Sequence, residues 1–104
     1  MGKEIHIIAT ITPKPGKADE VIKLLNQAAE QVKANEPGNY FYYGLKNKKA
    51  NEIIIVEKYQ DKDALGAHAS SAHFKAWSVG VKDLVEGPSV LKFGDKVAGF
   101  DSKL

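Results

Sequence analysis

Glu52-Ile53-Ile54-Ile55-Val56-Glu57-Lys58-Tyr59 is the stretch on which the fold turns. It is β-branched and extended, and it reads as a strand. Upstream, Tyr40-Phe41-Tyr42-Tyr43-Gly44-Leu45 reads as a second strand, and the polar Asn47-Lys48-Lys49-Ala50-Asn51 between them as a solvated hairpin connection. On the N-terminal side, Ile5 to Thr12 is another β-branched run, stopped by Pro13-Lys14-Pro15-Gly16. From Lys17 to about Asn35 the period changes: Ala18, Val21, Ile22, Leu25, Ala28, Ala29 and Val32 recur at helical spacing, until Glu36-Pro37-Gly38-Asn39 ends the helix. On the C-terminal side, Asp61 or Asp63 caps a short helix through His68, and Ser70 or Ser71 caps a second. That second helix carries the stripe Phe74, Trp77, Val81, Leu84 and Val85. Gly87-Pro88 breaks it, and Ser89 to Phe93 is a last strand.

The order is β-α-β-β-α-β with its second helix split. This predicts an α+β, ferredoxin-like fold: an antiparallel sheet with helices on one face. All 104 residues form one domain, with a core over about 4–93 and a tail over 94–104. A sheet covered on one side should alternate apolar and polar residues. These strands are apolar or aromatic on both faces, at Ile7-Ile8, Tyr40 to Tyr43 and Ile53 to Val56. The second face therefore needs another protein surface, and a second copy of the chain is the simplest, which predicts a homodimer.

Composition narrows the chemistry. The chain has no cysteine, which removes disulfides, zinc–thiolate and iron–sulfur sites and thiol nucleophiles. All 15 basic residues are lysine against 13 acidic ones, for a net charge of +2. Without arginine there is no bidentate clamp for phosphate or guanine, so no nucleic-acid partner is expected. No apolar run approaches the roughly 18 residues that span a bilayer, so no membrane partner is expected, and no signal-peptide layout opens the chain. No glycine-rich nucleotide loop is present.

Individual residues carry two readings each. His68 and His73 are five apart, whereas a two-histidine metal site on one helix needs a spacing of four and a third ligand nearby. No metal is expected. The pair either packs the helix junction or handles protons at a pocket mouth. Trp77 suits the core as well as a stacking surface, and Tyr42, Tyr43 and Tyr59 are ordinary strand aromatics taken singly. Glu57 shares strand parity with Ile53, Ile55 and Tyr59. A carboxylate on that face must find a hydrogen bond, across the sheet or a dimer, or take up a proton.

Taken together, Thr12 to Lys17, Glu36-Pro37-Gly38 with Tyr42, Glu57-Lys58-Tyr59, and Ala67-His68 through His73-Phe74-Lys75-Ala76-Trp77 resemble the antibiotic biosynthesis monooxygenase family of dimeric α+β barrels. The match runs in order from Ile5 to about Phe93. The resemblance implies a monooxygenase that uses no metal, flavin, haem or other cofactor. Its substrate would be a small aromatic molecule of the quinol or anthrone kind, which itself reduces O₂. It also implies a pocket between sheet and helices with His68 and His73 as catalytic residues and Tyr42, Tyr59, Phe74 and Trp77 as substrate-binding ones. His68 is the expected proton acceptor and Trp77 the stacking surface. Haem-degrading relatives carry an Asn on the first strand and a Trp and axial His later. This first strand holds no Asn, and His68 and Ser78 stand at the other two places. The alternatives are an enzyme isomerising or processing a small phosphorylated metabolite, and a dimer that binds a small molecule without catalysis. Lastly, Ser102-Lys103-Leu104 reads as the tripeptide bound by the peroxisomal import receptor, which predicts a peroxisomal protein in a eukaryote and a cytoplasmic one otherwise.

Overall fold

The computed structural model describes residues 3–103. In chain order the elements are β1 (Ile5–Ile11), α1 (Ala18–Asn35), β2 (Asn39–Lys46), β3 (Ile53–Tyr59), α2 (Lys62–Ala69), α3 (Ala72–Val81) and β4 (Val90–Gly94). The sheet order is β2-β3-β1-β4, and every pairing is antiparallel. This is the expected ferredoxin-like α+β architecture.

Strand parity sorts the residues. Ile7, Ala9 and Ile11 of β1 and Ile53, Ile55, Glu57 and Tyr59 of β3 alternate into the helical side, where all are buried. Against them α1 lays Val21, Leu25, Ala28 and Val32, a stripe at helical spacing. Full burial of a side chain such as Val21 contributes about 1.5–3 kcal/mol. Gly44 of β2 lies directly beneath the Leu25 side chain, leaving no room there for a Cβ.

Two expectations are corrected. α3 stops at Val81, so Leu84 and Val85 do not continue its helical stripe. The reason is competition from the segment just after β1: the Lys14 amide donates to the Leu84 carbonyl at 2.8 Å, the Glu86 amide to the Thr12 carbonyl at 2.8 Å, and Pro13 bridges Val85. Both side chains still pack on the core. The hydrogen bond of Glu57, expected across the sheet or a dimer, comes instead from Tyr59 two residues along the same strand.

The opposite face of the sheet has no helix. Ile8, Tyr43 and Leu45 are exposed there. At its β3 end the tail returns: Asp101 accepts from Lys58 at 2.5 Å and pairs with Lys96 at 3.0 Å, while Val97 and Phe100 stand in solvent. Ser102 and Lys103 are exposed beyond this tether, and Leu104 lies outside the described residues. No described helix is long and apolar enough to cross a membrane.

Candidate functional site

The site grows from two helix ends and a turn. At the α2–α3 junction, Asp61 accepts from the Ala64 amide at 2.9 Å and starts α2. Ser71 starts α3 by accepting from the Phe74 amide at 3.1 Å, while its hydroxyl donates to the His68 carbonyl at 2.7 Å. His68 thus sits in the last turn of α2 and His73 in the first turn of α3, with a capped corner between them. Facing both is Glu36, where α1 ends because Pro37 follows. Gly38 lets the two parts close up: a Cβ there would lie 2.7 Å from the Cβ of Ala64 on α2, and the Gln60 amide donates to the Gly38 carbonyl at 2.8 Å.

Glu36 therefore accepts from His68 Nδ1 at 2.9 Å, from His73 Nε2 and from Asn39 Nδ2 at 3.2 Å. Burial works against its charge, but the hydrogen bonds from His73, His68 and Asn39 outweigh burial and hold the carboxyl below its ordinary range. An ionised carboxylate only accepts, so the proton of His68 belongs on Nδ1 and the lone pair on Nε2. No hydrogen bond to that Nε2 is formed among the described residues.

The His68 ring lines a cavity of about 570 Å³ between the sheet and the helices α2 and α3. Tyr42, Phe74 and Trp77 line it too, and the Tyr42 and Phe74 rings lie 5.3 and 5.0 Å from His68. The volume suits one small organic ligand. Apolar residues dominate the wall, with Lys82 the one lysine in it among the described residues. Glu57 is also in the wall. Its carboxyl accepts from the Tyr59 hydroxyl at 2.6 Å. Burial pushes Glu57 up, opposed by the Tyr59 hydrogen bond and the nearby His68, and reinforced by Glu36. Burial, with Glu57 beside them, likewise raises the phenols of Tyr42 and Tyr59, so both remain protonated.

The six expected site residues thus divide. Tyr42, His68, Phe74 and Trp77 stand in the cavity wall, whereas Tyr59 and His73 stand behind it, Tyr59 against Glu57 and His73 against Glu36. Contrary to expectation, a third donor does lie near the two histidines: His68 and His73 stand on different helices, so the single-helix spacing of four does not apply, and the end of α1 brings Glu36 to them. Glu36, His68 and His73 present ligand atoms within 4.8 Å of one another, the one such group among the described residues. In the arrangement seen, these atoms are hydrogen-bonded to each other. In the sequence Glu36 stands out only as part of the turn that ends α1. The available signal was its place at a helix C-terminus, where a negative charge opposes the dipole and needs another partner.

Residues 4–79 match the family described as "Antibiotic biosynthesis monooxygenase". The Bacillus subtilis (strain 168) protein named "Putative monooxygenase YcnE" is 26% identical over 84 residues, 81% of this chain and 88% of that protein. A crystal structure from Caulobacter crescentus CB15, named as a putative antibiotic biosynthesis monooxygenase, superposes with a TM-score of 0.88 at 32% identity, covering 93% of this chain and 92% of its own. PA3566 from Pseudomonas aeruginosa shares the fold, with a TM-score of 0.84 at 24% identity over 94% of this chain and 98% of its own.

Proposed function

Because this chain belongs to the antibiotic biosynthesis monooxygenase family, we propose that it is a cofactor-independent monooxygenase acting with O₂ on a small aromatic substrate of the quinol or anthrone kind. One observation carries the reading. His68 has its Nδ1 held by Glu36 and its other nitrogen without a hydrogen-bond partner among the described residues, on the wall of a largely apolar, aromatic cavity. A base so placed removes the acidic C–H or O–H proton of the substrate in a site poor in water. The resulting anion is electron-rich enough to reduce O₂, and the two combine to form a C–O bond. For an anthrone, R₂CH₂ + O₂ → R₂C=O + H₂O, and the substrate supplies all the electrons. Trp77, Phe74 and Tyr42 give the flat rings on which such a molecule stacks.

Phosphorylated metabolites suit this wall poorly, since among the described residues Lys82 is its one lysine. A binding protein without turnover would need no acceptor nitrogen held in one tautomer. Oxygen uptake with anthrone and a panel of hydroquinones tests the reading. Wild-type protein is expected to consume O₂ above the buffer rate, and His68→Ala to lower turnover by about 10²–10⁴-fold. Tight binding without uptake would support the binding protein instead.

Assembly and address belong to the same proposal. The helix-free sheet face, with Ile8, Tyr43 and Leu45 exposed, packs against a second copy in a homodimer. Sedimentation at micromolar concentration should give twice the chain mass, and a stable monomer would reject it. In a eukaryotic host, Ser102-Lys103-Leu104 at a free C-terminus directs the protein to peroxisomes. A reporter fused to residues 99–104 should become punctate and return to the cytosol when Leu104 is removed.

A further inference from the structure

We infer that Glu57 is a second catalytic residue of the cavity: its carboxylic acid gives the proton that allows the O–O bond of a cavity-bound peroxide to break, while His68 acts on the substrate carbon. The inference rests on the oxygenase reading above.

Glu57 is inward-facing on β3, 8% exposed, and part of the wall that His68 also lines. Its two oxygens differ. Oε1 accepts from the Tyr59 hydroxyl at 2.6 Å, and Tyr59 is wholly buried, so that hydrogen bond is fixed. Oε2 has no hydrogen bond among the described residues, and it is not among the enclosed, unpartnered side-chain atoms. It is therefore the oxygen that meets whatever fills the cavity. A neutral carboxyl that accepts at Oε1 carries its proton on Oε2. Burial favours that neutral form. Tyr59, a phenol that burial keeps protonated, acts as a positioning residue and remains a donor throughout.

The chemistry needs such a group. After His68 takes the first proton and O₂ adds to the carbon, protonated His68 returns that proton to the peroxide, giving R₂CH–OOH. In the second step His68 takes the remaining C–H proton, and the C–H electron pair becomes the new C=O bond. The O–O bond breaks, and the distal oxygen departs with its electron pair. That oxygen would leave as hydroxide unless protonated. Glu57 Oε2–H supplies the proton, and water is released. Protonated His68 then restores the Glu57 proton, so the cycle closes with the ketone, water and both residues in their starting forms.

Anthrone is the probe, with O₂ uptake, anthraquinone formation and peroxide measured together. Wild type should give one anthraquinone per O₂ and no peroxide. Glu57→Gln keeps the acceptor for Tyr59 but has no acidic proton. It should lower anthraquinone formation by about 10²–10⁴-fold, while O₂ uptake falls less than about tenfold by the same reasoning and peroxide accumulates. Tyr59→Phe, which loosens the carboxyl without removing it, should show the same partition more weakly, and it serves if Glu57→Gln does not fold. A folded Glu57→Gln in which uptake and anthraquinone stay one to one overturns the role of Glu57 and leaves the oxygenase reading standing. A wild type that consumes no O₂ overturns both.

Discussion

Two buried carboxyls serve the cavity, Glu57 in its wall and Glu36 behind His68, and they are treated in opposite ways. At the α2–α3 corner, Glu36 is surrounded by donors from His68, His73 and Asn39, which hold it ionised despite burial. On the strand wall, Glu57 has a single donor, the Tyr59 hydroxyl, and burial wins. Each residue is 8–9% exposed, but Glu57 is the more closely enclosed of the two. Its deeper setting and its fewer donors act in the same direction. The corner sets a base, because a fixed negative charge behind His68 leaves its far nitrogen able to accept. The wall sets an acid.

The largest way to break this contrast is to remove the charge at the corner. Glu36→Gln keeps the shape but no longer dictates which nitrogen of His68 carries the proton. Turnover of anthrone should fall by about 10–100-fold, the scale seen when a partner that orients a functional histidine is lost. Unfolding by urea should show a loss of about 1–3 kcal/mol from poorly satisfied buried donors. Unchanged turnover in a folded variant would show that Glu36 is structural only.

A second change acts on the corner without touching any polar group. Gly38→Ala puts a methyl 2.7 Å from the Cβ of Ala64, so α2 must move away from the end of α1. Overpacking of this kind costs about 1–3 kcal/mol. The His68 to Glu36 hydrogen bond should lengthen with it, lowering turnover while anthraquinone binding persists. Full stability and turnover in this variant would mean that the close approach of α2 does not position the site.

The smallest expected effect sharpens the wall. A carboxyl raised in the folded state gives stability that is complete below the unfolded carboxylate range and is lost as pH rises through the folded value. Glu57→Gln does not titrate, so it should gain on wild type as pH rises through that window. Glu36 has the opposite sign: its contribution is present above the unfolded range and lost as pH falls through the depressed value. Parallel stability curves for wild type and Glu57→Gln from pH 4 to 8 would place Glu57 in its ordinary range.

Legibility in the sequence follows the range of each interaction. Strand parity put Glu57 beside Ile55 and Tyr59, and helical spacing put Trp77 and Val81 together, because both depend on neighbours within a few positions. The E-P-G turn marked the end of α1 correctly. Its function lay out of reach: Glu36 meets His68 and His73 across 32 and 37 positions, through a close approach that only Gly38 permits. The end of α3 was misjudged for a similar reason. Leu84 and Val85 have helical spacing, yet the extended Thr12 to Lys14 segment that follows β1 captures the backbone of residues 84–86. Of the expected site, the ring residues came from the family resemblance, because type and spacing alone suit each of them to the core as well, whereas the division between wall and support is set by tertiary packing.

The central claim is that Glu36 fixes His68, a residue of the cavity wall, with its proton on Nδ1 and its acceptor lone pair on Nε2. Nitrogen-15 chemical shifts of the His68 ring in labelled protein, at a pH where the ring is neutral, test it most directly. The account predicts a protonated Nδ1 and a bare Nε2 in wild type, with the two tautomers mixing in Glu36→Gln. A wild-type spectrum with the proton on Nε2 and a bare Nδ1 would contradict it.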